Sequence, residues 1–167
     1  MKLFLSRVAV LVSVLYTLNS CTADASAPAT PTTVSQTTVP YPYTTFENET
    51  LTLINNYRLS IGLNALAKSD YISYKAEEHN NYMIAINVVN HNDFVARSED
   101  IMKTLGAKYV TENVAYNYNT PQAVLDAWLS SEGHKANLEG NYTHFGLSVR
   151  ENPTTGKKYY TNIFAKI

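Results

Sequence analysis

His144-Phe145-Gly146-Leu147-Ser148-Val149-Arg150 and Lys158-Tyr159-Tyr160-Thr161-Asn162-Ile163-Phe164 stand on either side of Asn152-Pro153-Thr154-Thr155-Gly156. Both outer runs are rich in β-branched and aromatic residues and the middle is made of turn formers, so together they read as a β-hairpin. A lone hairpin is barely stable in water, so more strands or covering helices must lie upstream. Tyr109 to Tyr116 has strand character. Thr120-Pro121 opens a helix, with Thr as N-cap and Pro at the first helical position, and that helix carries Val124, Leu125 and Trp128. Further back, Asn48 can cap a first helix through Leu51, Ile54 and Tyr57-Arg58, ended by Gly62. Ser69 or Asp70 can cap a second, in which Ile72, Ala76, Tyr82, Met83 and Ile86 oppose Lys75, Glu77, Glu78, Asn80 and Asn81. A third helix spans Phe94 to Leu105 and stops at Gly106. Helices first, then strands mixed with one helix, imply an α+β domain built on an antiparallel sheet.

That domain occupies residues 46–167, about 120 residues, which suffices for one hydrophobic core. What precedes it has a different composition. Residues 1–20 read as an export signal: Lys2 and Arg7 supply the positive start, and Val8 to Leu18 is apolar and too short to span a bilayer comfortably. The chain's only cysteine, Cys21, falls where cleavage would occur, after Leu18-Asn19-Ser20. This is similar to the bacterial lipoprotein signal, in which such a cysteine becomes lipidated and anchors the mature chain to a membrane. Residues 21–45 form a Thr/Pro/Ala-rich tether with eight threonines and four prolines, lacking the apolar content to fold. A single cysteine also excludes internal disulfides and Cys-Cys zinc ribbons. The net charge of −1 becomes about −3 once Lys2 and Arg7 leave with the signal, so no nucleic-acid partner is expected.

Four histidines draw attention: His79, His91, His134 and His144. His91 follows the second helix, and His134 follows Gly133 just past the Trp128 helix, which places its ring in a turn. Glu112 sits in an otherwise apolar strand, where a buried carboxylate is costly unless paired. Two histidines and a glutamate from three elements can bind a metal or move protons, or can be plain helix-end and surface groups. Spacing by itself does not bring them together. His79 reads as structural and His144 as lining a strand face. Trp128 reads as core, and Asn113 and Asn137 as partners for backbone groups. Ser130 and Ser131 lie near His134, but no nucleophile elbow accompanies them.

Six segments in order resemble the CAP superfamily of cysteine-rich secretory, venom-antigen and pathogenesis-related proteins with their bacterial relatives. They are Leu53-Ile54-Asn55-Asn56-Tyr57-Arg58 with Gly62-Leu63-Asn64-Ala65-Leu66, His91-Asn92-Asp93-Phe94-Val95-Ala96-Arg97, Thr111-Glu112-Asn113-Val114-Ala115, Trp128 to Leu138, Tyr142 to Val149, and Tyr159 to Lys166. The resemblance implies an α-β-α sandwich, an antiparallel sheet between helical layers. It also implies a cavity holding His91, Glu112 and His134. Asp93 and Glu99 lie near the place of a second acidic residue, though neither is aligned by a motif. By the same resemblance, His91 and His134 are candidate ligands for Zn2+ or another divalent cation, with open positions left for water. Lys135 stands where the family usually has arginine.

Two functions follow from the resemblance. One is an extracytoplasmic binding module, secreted or lipid-anchored at the cell envelope, that takes a small apolar ligand (a lipid or sterol-like molecule) or a protein partner through the His/Glu cavity. The other is a metal-assisted hydrolase of peptide or ester bonds, in which His91 and His134 hold the ion and Glu112 is the catalytic residue that orients or deprotonates water.

Overall fold

The computed structural model describes residues 40–167. The expected signal 1–20, Cys21 and the tether up to residue 39 lie outside the described residues. Within them the order is α1 (Thr45–Ser60), β1 (Ala67–Lys68), α2 (Asp70–Ile86), α3 (Phe94–Leu105), β2 (Tyr109–Tyr116), α4 (Pro121–Leu129), α5 (Glu132–Leu138), β3 (His144–Glu151) and β4 (Lys158–Lys166).

The hairpin expected from the sequence is β3–β4, paired antiparallel from His144 with Ala165 to Glu151 with Lys158. On its other side β4 pairs antiparallel with β2, from Tyr109 with Lys166 to Tyr116 with Tyr159. The sheet order is β1-β3-β4-β2, so β2 is an edge strand. The two-residue β1 joins β3 in parallel and makes the sheet mixed, a piece too short to leave a period in the sequence.

Alternation along the strands sorts the core into two layers. Phe145, Leu147, Val149, Tyr160 and Phe164 pack with Leu51, Ile54, Val124, Leu125, Trp128 and Leu138, so α1, α4 and α5 cover one face. Ile163, Ala165 and Val110 pack with Ile72, Ala76 and Ile101, so α2 and α3 cover the other. With both faces covered, the architecture is the expected α-β-α sandwich.

Two boundaries differ from expectation. α1 is capped at Thr44, not Asn48: the Thr44 hydroxyl accepts the Glu47 N–H at 3.2 Å, and the Glu47 carboxylate accepts the Thr44 N–H at 2.8 Å. This reciprocal pair is a capping box. Packing also reaches upstream of residue 46. Tyr41 is buried, its hydroxyl 3.0 Å from both the Glu47 carboxylate and Ser148 Oγ, and Arg150 donates to it at 2.7 Å. Glu47 is fully buried and also accepts the Val149 N–H at 2.8 Å, so one carboxylate ties helix cap, strand and entering chain together. At the other end, α4 starts as read: Thr120 Oγ1 accepts the Ala123 N–H at 3.1 Å with Pro121 at the first position. Thr120→Ala is expected to lower stability by about 1 kcal/mol. Urea unfolding of the two proteins measures it, and a change within about 0.3 kcal/mol would deny the cap any role.

Candidate functional site

The site forms around the free edge of β2. Two outward carbonyls of that edge are capped by side chains: Asn137 Nδ2 donates to Glu112 O at 3.2 Å, and the Trp128 indole donates to Val114 O at 3.1 Å. Covering an edge this way removes a pairing template and pins α4 and α5 against the strand. Asn113 Nδ2 then donates to the His134 carbonyl at 3.0 Å, which sets His134 beside β2. The residues read as core and backbone partners, Trp128, Asn113 and Asn137, hold those positions. His134 itself lies on α5 rather than in a turn. Ser131 is the N-cap of a new seven-residue helix that carries Gly133 and His134.

On the opposite face of the sheet stands Glu112, its side chain 1% exposed. The Arg97 guanidinium, projecting from the first turns of α3, grips it as a fork: Nε lies 2.8 Å from Oε2, and Nη2 lies 2.9 Å from Oε1 and 2.7 Å from Oε2. His91, in the α2–α3 loop, brings Nδ1 to 2.9 Å from Oε1. Both carboxylate oxygens are thereby committed to charge-assisted bonds. In the tautomer whose Nδ1–H donates to Glu112, Nε2 is left as an acceptor on a side chain that is 51% exposed. In this arrangement the carboxylate sets both the tautomer and the direction of the imidazole, as it does behind many metal-bound histidines.

His79 is buried in the same place. Its Nε2 lies 2.8 Å from the Asn90 carbonyl and 3.9 Å from Glu112, and its ring stacks on Tyr82. Burial pushes its pKa below the ordinary imidazole value. Burial and the nearby His91 likewise hold the His134 pKa down, so that ring is neutral at pH 7. A cleft of about 310 Å3, walled by Ala115, Tyr116, Tyr118 and Trp128, opens beside His134.

The structure therefore joins His91 directly to Glu112 and sets His134 across the edge of β2 from them. Asp93 and Glu99 bond to neither, and His144 lies on β3, with β4 between it and β2. Arg97 was missed by sequence reasoning, although it closes the His91-to-Arg97 segment already singled out. Its place on the first turns of a helix that starts just after His91 was the available signal.

A family model for cysteine-rich secretory proteins, the CAP family, matches residues 51–164. The chain belongs to this family. Among curated relatives of this CAP protein, YkwD of Bacillus subtilis (strain 168) is 35% identical over 133 residues, covering 77% of the chain and 51% of YkwD. The chain thus spans about half the length of that relative. Two solved structures share the fold: an outer surface protein from Borrelia burgdorferi (TM-score 0.64, 21% identity, 71% of this chain and 90% of that one), and an extracellular SCP-domain protein from Bacillus anthracis (TM-score 0.62, 26% identity, 72% and 40%).

A divalent cation is the ligand the CAP family raises, and the donors present can be weighed against it. Among the described residues no group of three or more His, Cys, Asp or Glu side chains is gathered as a metal site. A catalytic zinc takes three protein ligands. With Glu112 sealed by Arg97 and His91, the donors that remain are two imidazoles, His91 Nε2 and the His134 ring, too few for a tightly held zinc and a fit only for a loosely held, exchangeable ion.

Proposed function

We propose that this CAP domain is a binding module working outside the cytoplasm, secreted or anchored through a lipidated Cys21, that takes a small apolar ligand into the cleft beside His134. The observation that carries this reading is the state of Glu112. A carboxylate whose two oxygens already hold an arginine fork and an imidazole N–H is a poor general base, because freeing it leaves a buried charge unpaired. Its role is to position His91. The cleft beside His134 has what a ligand site needs: aromatic walls and one neutral, hydrogen-bonding ring at the rim. Two structural relatives, an outer surface protein and an extracellular protein, support the location.

Trp128 is the chain's only tryptophan and lines the cleft, so its fluorescence reports directly on occupancy. Titration with a fatty-acid and sterol series is expected to give a saturable change, abolished by Ala115→Trp, which fills the cleft, when that variant is followed by lipid extraction. No retained lipid from any of the series, extracted from the wild-type protein, sinks the proposal. Mass spectrometry of the mature N-terminus tests the anchor: an unmodified Cys21 thiol removes it.

His91 and His134 would hold Zn2+ or a similar ion, which would supply a Lewis-acidic centre next to the cleft. Zinc uptake by the purified protein is expected at micromolar metal and is expected to fall at least tenfold in a His91→Ala/His134→Ala double variant. Unchanged uptake in the double variant removes both residues as ligands. Peptide or ester turnover that disappears in Glu112→Gln would transfer the assignment to the hydrolase.

A further inference from the structure

We propose that the cleft beside His134 selects an uncharged single-chain amphiphile, one ending in a hydroxyl or a primary amide, over a chain ending in a carboxylate or an ammonium. This rests on the reading of that cleft as the ligand site and narrows it to a chemical class. Size sets the first limit. At roughly 30 Å3 for each water-sized group, a volume of about 310 Å3 seats about ten non-hydrogen atoms. A short chain, or the polar end of a longer one, fills that space, and the fused rings of a sterol exceed it.

The lining sets the second limit. Val114, Ala115 and Tyr116 from β2, Tyr118 just beyond it, and Ala127 and Trp128 from α4 make apolar and aromatic walls. The remaining lining residues are Ser131 and His134, so no Asp, Glu, Lys or Arg side chain lines the cleft. A carboxylate or an ammonium brought in would give up its water and meet no opposite charge, which is far costlier than hiding a neutral polar group.

The polar edge sets the third. Ser131 and His134 stand three positions apart and so fall on one side of the cleft, at α5. The hydroxyls of Thr44, Ser69 and Thr120, at the N-caps of α1, α2 and α4, each accept a helix N–H, and that of Ser131 does not. Its O–H is therefore left to a ligand. A hydroxyl both donates and accepts, and a neutral imidazole offers one nitrogen of each kind. An alcohol or a primary amide answers both functions, whereas a carboxylate can only accept and an ammonium can only donate.

Trp128 fluorescence of the purified protein reads the binding of octanol, octanamide, octanoate and octylammonium, probes of one chain length that the cleft has room for. A chelator keeps cations off His91 and His134, where they would attract the carboxylate. A pH of about 8 keeps imidazole, with its ordinary value of about 6.5, uncharged. Octanol and octanamide are expected to bind at least tenfold more tightly than either ion. Ser131→Ala is expected to weaken octanamide about threefold to tenfold and to leave octanoate where it was, and Ser131→Thr, which keeps the hydroxyl, restores octanamide. Ala115→Trp is expected to abolish all binding. If either ion binds as tightly as octanamide and Ala115→Trp abolishes both, the cleft remains the ligand site and its preference for uncharged ends is refuted. Octanamide binding that Ser131→Ala leaves unchanged overturns the proposal as well. Binding that survives Ala115→Trp, or no saturable change with any probe, removes the cleft itself and this inference with it.

Discussion

Arg97→Met is expected to cost about 3–5 kcal/mol of folding stability, far more than the loss of a surface ion pair. Glu112 is nearly inaccessible and lies in a strand whose neighbours Val110 and Val114 are core residues. In the wild type the Arg97 fork supplies three of its close contacts, and the Arg97 side chain is itself only 9% exposed. Methionine fills much of the same volume but returns nothing to the carboxylate. The protein must then protonate Glu112, admit water or open the α3 contact, and each route costs free energy. Adding Glu112→Gln removes the stranded charge, so the double variant is expected to recover at least half of the loss. Urea unfolding gives all four stabilities, and the coupling follows as a double-mutant cycle. A cost below about 1 kcal/mol for Arg97→Met would mean that water already reaches Glu112 and that the pair behaves as an exposed one.

The same pair explains what the sequence made legible and what it did not. The hairpin, the Thr120-Pro121 start and the glycine stop at Gly106 depend on local chemistry, and local chemistry is written in neighbouring residues. The reciprocal Thr44–Glu47 cap was equally local, but Asn48 offered a competing cap one turn later. β1 was invisible because two residues have no period, and α5 because seven residues, with Gly133 near their start, are too short to leave one. At the site, Glu112 was conspicuous as a charge among apolar neighbours. What it touches depends on how α3 lies across β2, a tertiary fact with no sequence spacing of its own. His91 reaches Glu112 over 21 positions and Arg97 over 15, so the direction of the arginine decides the chemistry of the carboxylate. His79 was read as structural, and its bond to the Asn90 carbonyl agrees. Its nearness to Glu112 emerged only with the packing of α2.

Gly146 sets how closely that helix can approach. A Cβ placed there would lie 2.4 Å from the Ser73 amide nitrogen and 2.6 Å from the Ile72 carbonyl carbon, both backbone atoms of α2. Backbone in the first turn of a helix has no rotamer with which to yield. α2 is also held at that height by bonds to β3 and its margin: Ser69 N–H to Phe145 O at 2.9 Å, Leu147 N–H to Ser73 Oγ at 3.2 Å, and Asn80 Nδ2 to Ser148 O at 2.7 Å. Relieving the clash means lifting the helix off these bonds and opening the layer that contains Ile72 and Ala76. Gly146→Ala is therefore expected to cost about 3 kcal/mol or more, at or above the upper end for a single added methyl in a packed core. Gly133 gives the contrast within the same chain. It lies inside α5, a methyl added to it would meet nothing within 4 Å, and its φ is not positive. Gly133→Ala should gain about 0.5–1 kcal/mol from helix propensity. Paired urea or thermal unfolding measures two identical chemical changes with opposite expected signs. A Gly146→Ala protein as stable as the wild type would show that α2 can move away from β3 at little cost.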